Sequence, residues 1–139
     1  MPDAPPPKLF TVEEANELLG QVRPLMEQLR TLHHALLATN QELDDCAQKL
    51  AAGNGYSIQQ LEERTTALTT QQFQLIEELQ AALQRLESLG CTLKDVDSGL
   101  VDFYALRDGD IICLCWRAGE EQIRFWHGME EGFAGRKPI

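Results

Sequence analysis

Hydrophobic residues recur at alternating spacings of three and four along the first part of the chain. Such a repeat keeps one stripe of an α-helix turned toward a partner, and it predicts a helix over residues 10–52. Thr11 and Glu14 have the spacing of an N-terminal capping box, and Phe10 precedes the cap. The stripe consists of Ala15, Leu18, Val22, Leu25, Leu29, Leu32, Leu36, Leu43, Cys46 and Leu50.

A second repeat with the same spacing predicts a helix over residues 56–90, after a short glycine-containing stretch. Two long helices joined by a short loop form an antiparallel, coiled-coil-like hairpin. A hairpin alone leaves its apolar stripes partly uncovered, so we expect a homodimer with a helical-bundle interface. The second stripe consists of Leu61, Thr65, Leu68, Gln72, Leu75, Leu79, Ala82, Leu86 and Leu89.

The pattern changes to β-strand alternation after Gly90. Two runs of strand-forming residues flank Asp108-Gly109, a dipeptide typical of tight hairpins, and a third run ends at His127. We predict a small sheet of three antiparallel strands, with Thr92–Lys94 as a fourth, edge strand, and therefore an α+β fold. The predicted organisation is a disordered leader over residues 1–9 and a single domain over 10–139, of which 91–139 form a meander and a C-terminal clamp.

The composition is acidic, because 22 Asp and Glu oppose 12 Lys and Arg and give a formal net charge of −10. A surface of this charge repels phosphate groups, which disfavours nucleic acid and anionic membranes as partners. No apolar run approaches the roughly 20 residues of a membrane span, and the proline-rich start lacks a signal-peptide pattern. We expect a cytoplasmic protein with reduced cysteines.

Four stretches carry a resemblance to a known family: FTVEEANELL, LGCTLKDVDSGLVDFYAL, CLCWRAGEEQIRFWH and GFAGRKPI. Together they resemble a bacterial family catalogued as a domain of unknown function, family 2203. The resemblance covers nearly everything after the leader. Its most distinctive part runs from Leu89 to Ile139, because long leucine-rich helices resemble many unrelated proteins. The resemblance implies no catalytic residues.

Carboxylates and a histidine in the last third form the first candidate site. Asp102 and His127 are its centre, with Glu14, Asp97 and Arg136 around them where the sheet meets the start of the first helix. The carboxylates and the imidazole among them suit a divalent metal ion. The sequence favours a structural alternative, in which aspartates shape a turn and glutamates face water, because no recognised metal-ligand spacing is present.

Two cysteines, Cys113 and Cys115, lie on one face of a predicted strand. Two thiolates can bind zinc, and one thiolate can act as a nucleophile near His127. Two ligands do not complete a tetrahedral site, and Cys46 and Cys91 fall on other elements. Packing as small buried apolar side chains is therefore favoured for all four cysteines.

The C-terminal stretch FWHGMEEGFAGRKPI has two interpretations as well. As a clamp, which we favour, Phe133 anchors the segment and Arg136 neutralises Asp97 or Asp102, because a segment without regular structure must be tied down to be ordered.

As a binding site, Arg136 and His127 grip a small anion, and Trp116 and Trp126 form the pocket wall.

Two hypotheses about function follow. The first, which we favour, is a dimeric, non-enzymatic interaction or adaptor protein, because no nucleophile–base arrangement is present. The second is a protein that binds a metal or a small anion at the Asp102–His127 site, with enzymatic activity left open. No cofactor fingerprint is present, and a divalent metal is the one cofactor that the residues suggest.

Overall fold

A computed structural model of the protein describes residues 7–53 and 55–139. The disordered leader predicted for residues 1–9 therefore falls, over residues 1–6, outside the described residues. Within the described ranges, no helix is both long and apolar enough to cross a membrane.

Two long helices pack against each other, as the hydrophobic repeats predict. Helix α1 spans Val12–Ala52 and helix α2 spans Ile58–Ser88. The predicted capping box starts α1: the Glu14 amide donates to Thr11 Oγ1 at 3.1 Å, and the Thr11 amide donates to Glu14 Oε1 at 3.0 Å. Both reciprocal bonds satisfy amides that the first helical turn leaves without partners.

A five-stranded antiparallel sheet follows the helices, with its strands in sequential order. The predicted edge strand is present as β1, and the turn between β2 and β3 contains Asp108 and Gly109 with φ of 51° and 84°, as the Asp-Gly signal predicts. The fifth strand was not predicted. The strands are β1 (Thr92–Asp95), β2 (Leu100–Arg107), β3 (Asp110–Arg117), β4 (Phe125–Gly128) and β5 (Lys137–Pro138), with a short 3-10 helix over Phe133–Gly135.

The chain divides into two compact units. The first contains the described residues up to Arg30 together with Ala82–Ile139, and the second is Thr31–Ala81.

In the first unit, the start of α1 packs on one face of the sheet. Phe10 lies edge-on to Phe103 with ring centroids 5.3 Å apart, and its amide donates to the Tyr104 carbonyl at 2.7 Å. Asn16 Oδ1 accepts a hydrogen bond from the Ile123 amide at 2.7 Å. Apolar side chains of the same sheet face, such as Trp116, are buried here. The opposite face of the sheet carries the polar residues described next.

In the second unit, the two helices pack along the predicted seam. Leu68 and Thr39 are buried, and Asn40 Oδ1 accepts a hydrogen bond from Gln72 Nε2 at 2.7 Å. These contacts place the middle of α1 beside the middle of α2.

Candidate metal centre

The register of three strands builds a polar cluster on one face of the sheet. Asp102 on β2 lies opposite Cys115 on β3, and His127 on β4 lies opposite Cys113 on β3. Because alternate residues of a strand share a face, all four side chains project to the same side. Asp102 and His127 therefore meet above the central strand, with the two thiols beneath them.

The distances within this cluster are those of potential metal ligands. His127 Nε2 lies 3.1 Å from Asp102 Oδ1 and 3.1 Å from Asp102 Oδ2. Ligand atoms of Asp102, Cys115 and His127 all lie within 4.8 Å of one another. Ligand bonds of about 2.0–2.1 Å at a tetrahedral angle separate a nitrogen and an oxygen by about 3.3 Å. The Asp102–His127 spacing is close to that value.

A backbone carbonyl determines which nitrogen of His127 carries a proton. His127 Nδ1 lies 2.8 Å from the Gly128 carbonyl oxygen, and a carbonyl only accepts, so Nδ1–H is the donor. In a neutral imidazole, Nε2 then presents its lone pair to the Asp102 carboxylate. Two electron-rich groups this close require a positive charge between them, which is either a proton or a metal ion. A ring N–H donated to a backbone carbonyl is also typical of metal-binding histidines.

Burial of both side chains strengthens the need for a positive charge between Asp102 and His127. Asp102 and His127 are 2% and 3% exposed. Within residues 7–53 and 55–139, no lysine or arginine forms an ion pair with Asp102, and its carboxylate lies against His127 and hydrogen-bonds with the thiols of Cys113 and Cys115. A buried carboxylate whose neighbours are an imidazole and two thiols is costly unless a cation offsets its charge.

The neighbouring thiols are protonated at neutral pH. Burial, together with the negative charge of Asp102, raises the pKa of Cys113 and of Cys115 to about 11. Burial also raises the pKa of Cys91 to about 11, and its thiol donates to the Leu86 carbonyl. These groups are poor nucleophiles as they stand, because the thiolate is the reactive form. A metal ion is what converts such a thiol to a thiolate ligand.

Two candidate ligands from the sequence do not join the cluster. Glu14 is committed to the capping box, and hydrogen bonds from Thr11 lower its pKa. Asp97 is exposed in the turn between β1 and β2 and lies outside the set of clustered ligand atoms. In the same turn, Asp95 accepts a hydrogen bond from the Ser98 amide at 2.9 Å, which agrees with the structural alternative in which aspartates shape a turn.

Arg136 lies near the cluster but pairs with a different carboxylate from the one expected. Its Nη2 atom lies 2.6 Å from Glu120 Oε1 and donates to the Cys115 carbonyl at 3.2 Å. The predicted pairing with Asp97 or Asp102 is therefore replaced by a pairing with Glu120. The segment is held to the sheet through this arginine.

Phe133, which is predicted to anchor the C-terminal segment, is not buried in the sheet. This side chain is 43% exposed and lies against the guanidinium groups of Arg117 and Arg136, with centroid distances of 5.5 Å and 4.7 Å. Glu131 has a larger part in fixing the segment: it accepts hydrogen bonds from the Gly128 amide and from Lys137 Nζ, both at 2.9 Å.

The two tryptophans occupy different places. Trp116 is 1% exposed, and its indole N–H donates to the Glu120 carbonyl at 2.9 Å, so it belongs to the core. Trp126 lines a groove of about 370 Å³ between residues 9–12 and the far end of the sheet. Neither tryptophan belongs to the set of residues that supplies the clustered ligand atoms.

The pairing of Cys115 with Asp102 and His127 was missed by the sequence analysis. The residue itself was recognised as half of a two-thiol strand face. What the sequence lacked was the register that places Asp102 directly opposite Cys115. The spacing of 25 residues between Asp102 and His127 matches no short ligand motif.

A helical hairpin followed by a sequential five-stranded sheet, with a buried Asp–Cys–His cluster on the sheet, defines the architecture. The family model described as "Uncharacterized conserved protein (DUF2203)" matches residues 8–139, so the chain belongs to this family, as the resemblance implied. No curated protein and no solved structure matches the chain.

Proposed function

We propose that this protein binds a transition-metal ion at the sheet, through Asp102, Cys115 and His127. The observation that supports the proposal is the buried contact of His127 Nε2 with both carboxylate oxygens of Asp102, while Nδ1–H is donated to a carbonyl. Carboxylate, thiolate and imidazole are together the ligand types of zinc sites. Cys113 lies on the same face but outside this set, with its thiol 3.7 Å from Met129 Sδ.

Burial of the cluster favours a structural or sequestering role over catalysis. A catalytic metal needs an open position that substrate can reach. Asp102, Cys115 and His127 are all buried beneath neighbouring side chains. The role we propose is therefore metal binding without catalysis at this site.

Zinc(II) titration against a chromophoric competitor, in chelator-treated and reduced protein, tests the proposal. We expect one ion per chain. Asp102→Asn and Cys115→Ser should each weaken binding at least about tenfold. Asp102→Asn is expected to stay folded, because its amide N–H can donate to the lone pair of His127 Nε2.

Cys91→Ser is the matched control, because it changes another buried thiol that lies outside the cluster. Equal losses in Cys91→Ser and Cys115→Ser would contradict the proposal. Absence of binding to the wild-type protein would do so as well. In that case a proton would bridge the pair, and ¹⁵N spectra would show His127 protonated on both nitrogens.

A further inference from the structure

An uncharged region occupies the middle of the second unit. Residues 31–81 contain seven acidic and two basic residues, a net charge of −5 from seven minus two. None of these nine lies in residues 31–41 of α1 or in residues 65–76 of α2. The hydrogen bond between Asn40 and Gln72 shows that these two uncharged stretches lie side by side.

Large apolar side chains are exposed within this region. Leu37, Phe73 and Ile76 are 50%, 63% and 37% exposed. Helical periodicity puts Phe73 and Ile76 on one side of α2, since residues three apart share a face. Leu37 lies one turn from Asn40, which contacts Gln72 beside Phe73. The three side chains therefore form one patch, called here the Leu37–Phe73–Ile76 patch.

The hairpin also leaves its own seam incompletely covered. Leu36 and Leu75, both seam residues at the level of the patch, remain half-buried. A four-helix bundle covers such stripes on both sides, whereas two helices do not. The apolar surface therefore has the form that a further pair of helices covers.

The charge distribution decides where a second copy of this chain can contact the first. Two copies that each carry a net charge of −10 repel each other wherever their acidic surfaces meet. An isologous contact between copies is thus favoured where neither copy carries charge, and the uncharged stretches around the patch provide that surface. Their threonine, glutamine and asparagine side chains supply a neutral polar rim.

We propose that the Leu37–Phe73–Ile76 patch is the homodimer interface and that two hairpins associate there as a four-helix bundle. This proposal is independent of the metal centre, because it concerns the second unit alone. Sedimentation equilibrium of the full chain tests it. The wild-type protein is expected to be a dimer.

Phe73→Glu is expected to raise the dimer dissociation constant at least about a hundredfold, because each dimer loses two buried phenylalanines and gains two charges. Gln74→Glu is the matched control, since it adds the same charge at the next exposed residue on another side of α2. Leu37→Glu repeats the test from α1. Circular dichroism checks that the variants remain helical.

A monomeric wild-type protein would overturn the proposal. A dimer that persists in both Phe73→Glu and Leu37→Glu would overturn it too, because the interface would then lie elsewhere. A dimer that Gln74→Glu disrupts as strongly as Phe73→Glu would show that overall charge, and not the patch, controls association.

Discussion

Gly99 is the position where one added methyl group should be most damaging, because two separate costs coincide there. Its φ is +70°, and a Cβ would lie 2.4 Å from the Cβ of Ala118. Gly109 in the β2–β3 turn has a comparable φ of +84° and nothing within 4 Å of its Cβ position. The two glycines thus differ mainly in steric crowding.

This comparison gives the expected loss in the free energy of unfolding for each variant. Placing alanine in the left-handed region costs about 1–2 kcal/mol, and that is the full expected effect of Gly109→Ala. Gly99→Ala adds an overpacking cost of about 1–3 kcal/mol, because Ala118 must move by about 1 Å or more. The Gly99 carbonyl also accepts a hydrogen bond from the Ala118 amide at 2.9 Å, so this movement strains the pairing of β2 with β3.

Urea unfolding at fixed temperature measures both variants, with unchanged slopes showing that the unfolding reaction is the same. Combining Gly99→Ala with Ala118→Gly should recover most of the steric cost, in a double-mutant cycle with Ala118→Gly alone. Equal losses of stability for Gly99→Ala and Gly109→Ala would refute the steric argument. An absence of coupling to Ala118 would refute it as well.

Four further predictions concern the metal centre and α1. Zinc at about 100 times its dissociation constant should add about 2.7 kcal/mol to the free energy of unfolding. With an unfolding entropy of about 2.1 cal/mol/K per residue over 139 residues, this raises Tm by about 9 °C. Calorimetry should show the rise in the wild-type protein and not in Asp102→Asn. Thr11→Ala should cost about 1 kcal/mol in urea unfolding. Folding lowers the pKa of Glu14, so the ionised carboxylate stabilises the folded protein above the unfolded pKa of 4.5. This stabilisation is lost as the pH falls through the folded-state pKa. Glu14→Gln should therefore make the free energy of unfolding less dependent on pH on the acid side. Gly20→Ala, with open space around its Cβ position in exposed helix, should stabilise the protein by about 0.5–1 kcal/mol.

The helices and the β2–β3 hairpin could be predicted because their determinants are local. A capping box, a repeat of three and four, and an Asp-Gly turn each act within a few residues. β5 has no such signal: it is two residues long and pairs with Phe125 and Trp126 on β4. Only the tertiary arrangement brings these partners together.

The candidate site was predictable in part. The chemistry of Asp102 and His127 marked them as its centre, and strand register brings them into contact. Glu14 was placed in this group although its capping-box signal was legible in the sequence, and in the structure its carboxylate accepts the hydrogen bond of the cap. Arg136 selects Glu120 because the loop after β3 returns beside the C-terminal segment, and no periodicity encodes that return.

The two edge strands bear on how the protein avoids aggregation. An outer strand with regular unpaired amides can recruit a strand from another molecule. β5 contains Pro138, which lacks an amide hydrogen, and spans only two residues. β1 has an irregular register between Leu93 and Asp95, with exposed Lys94 between them. Intermolecular β-pairing is thereby discouraged at both ends of the sheet, which keeps the sheet from recruiting further strands.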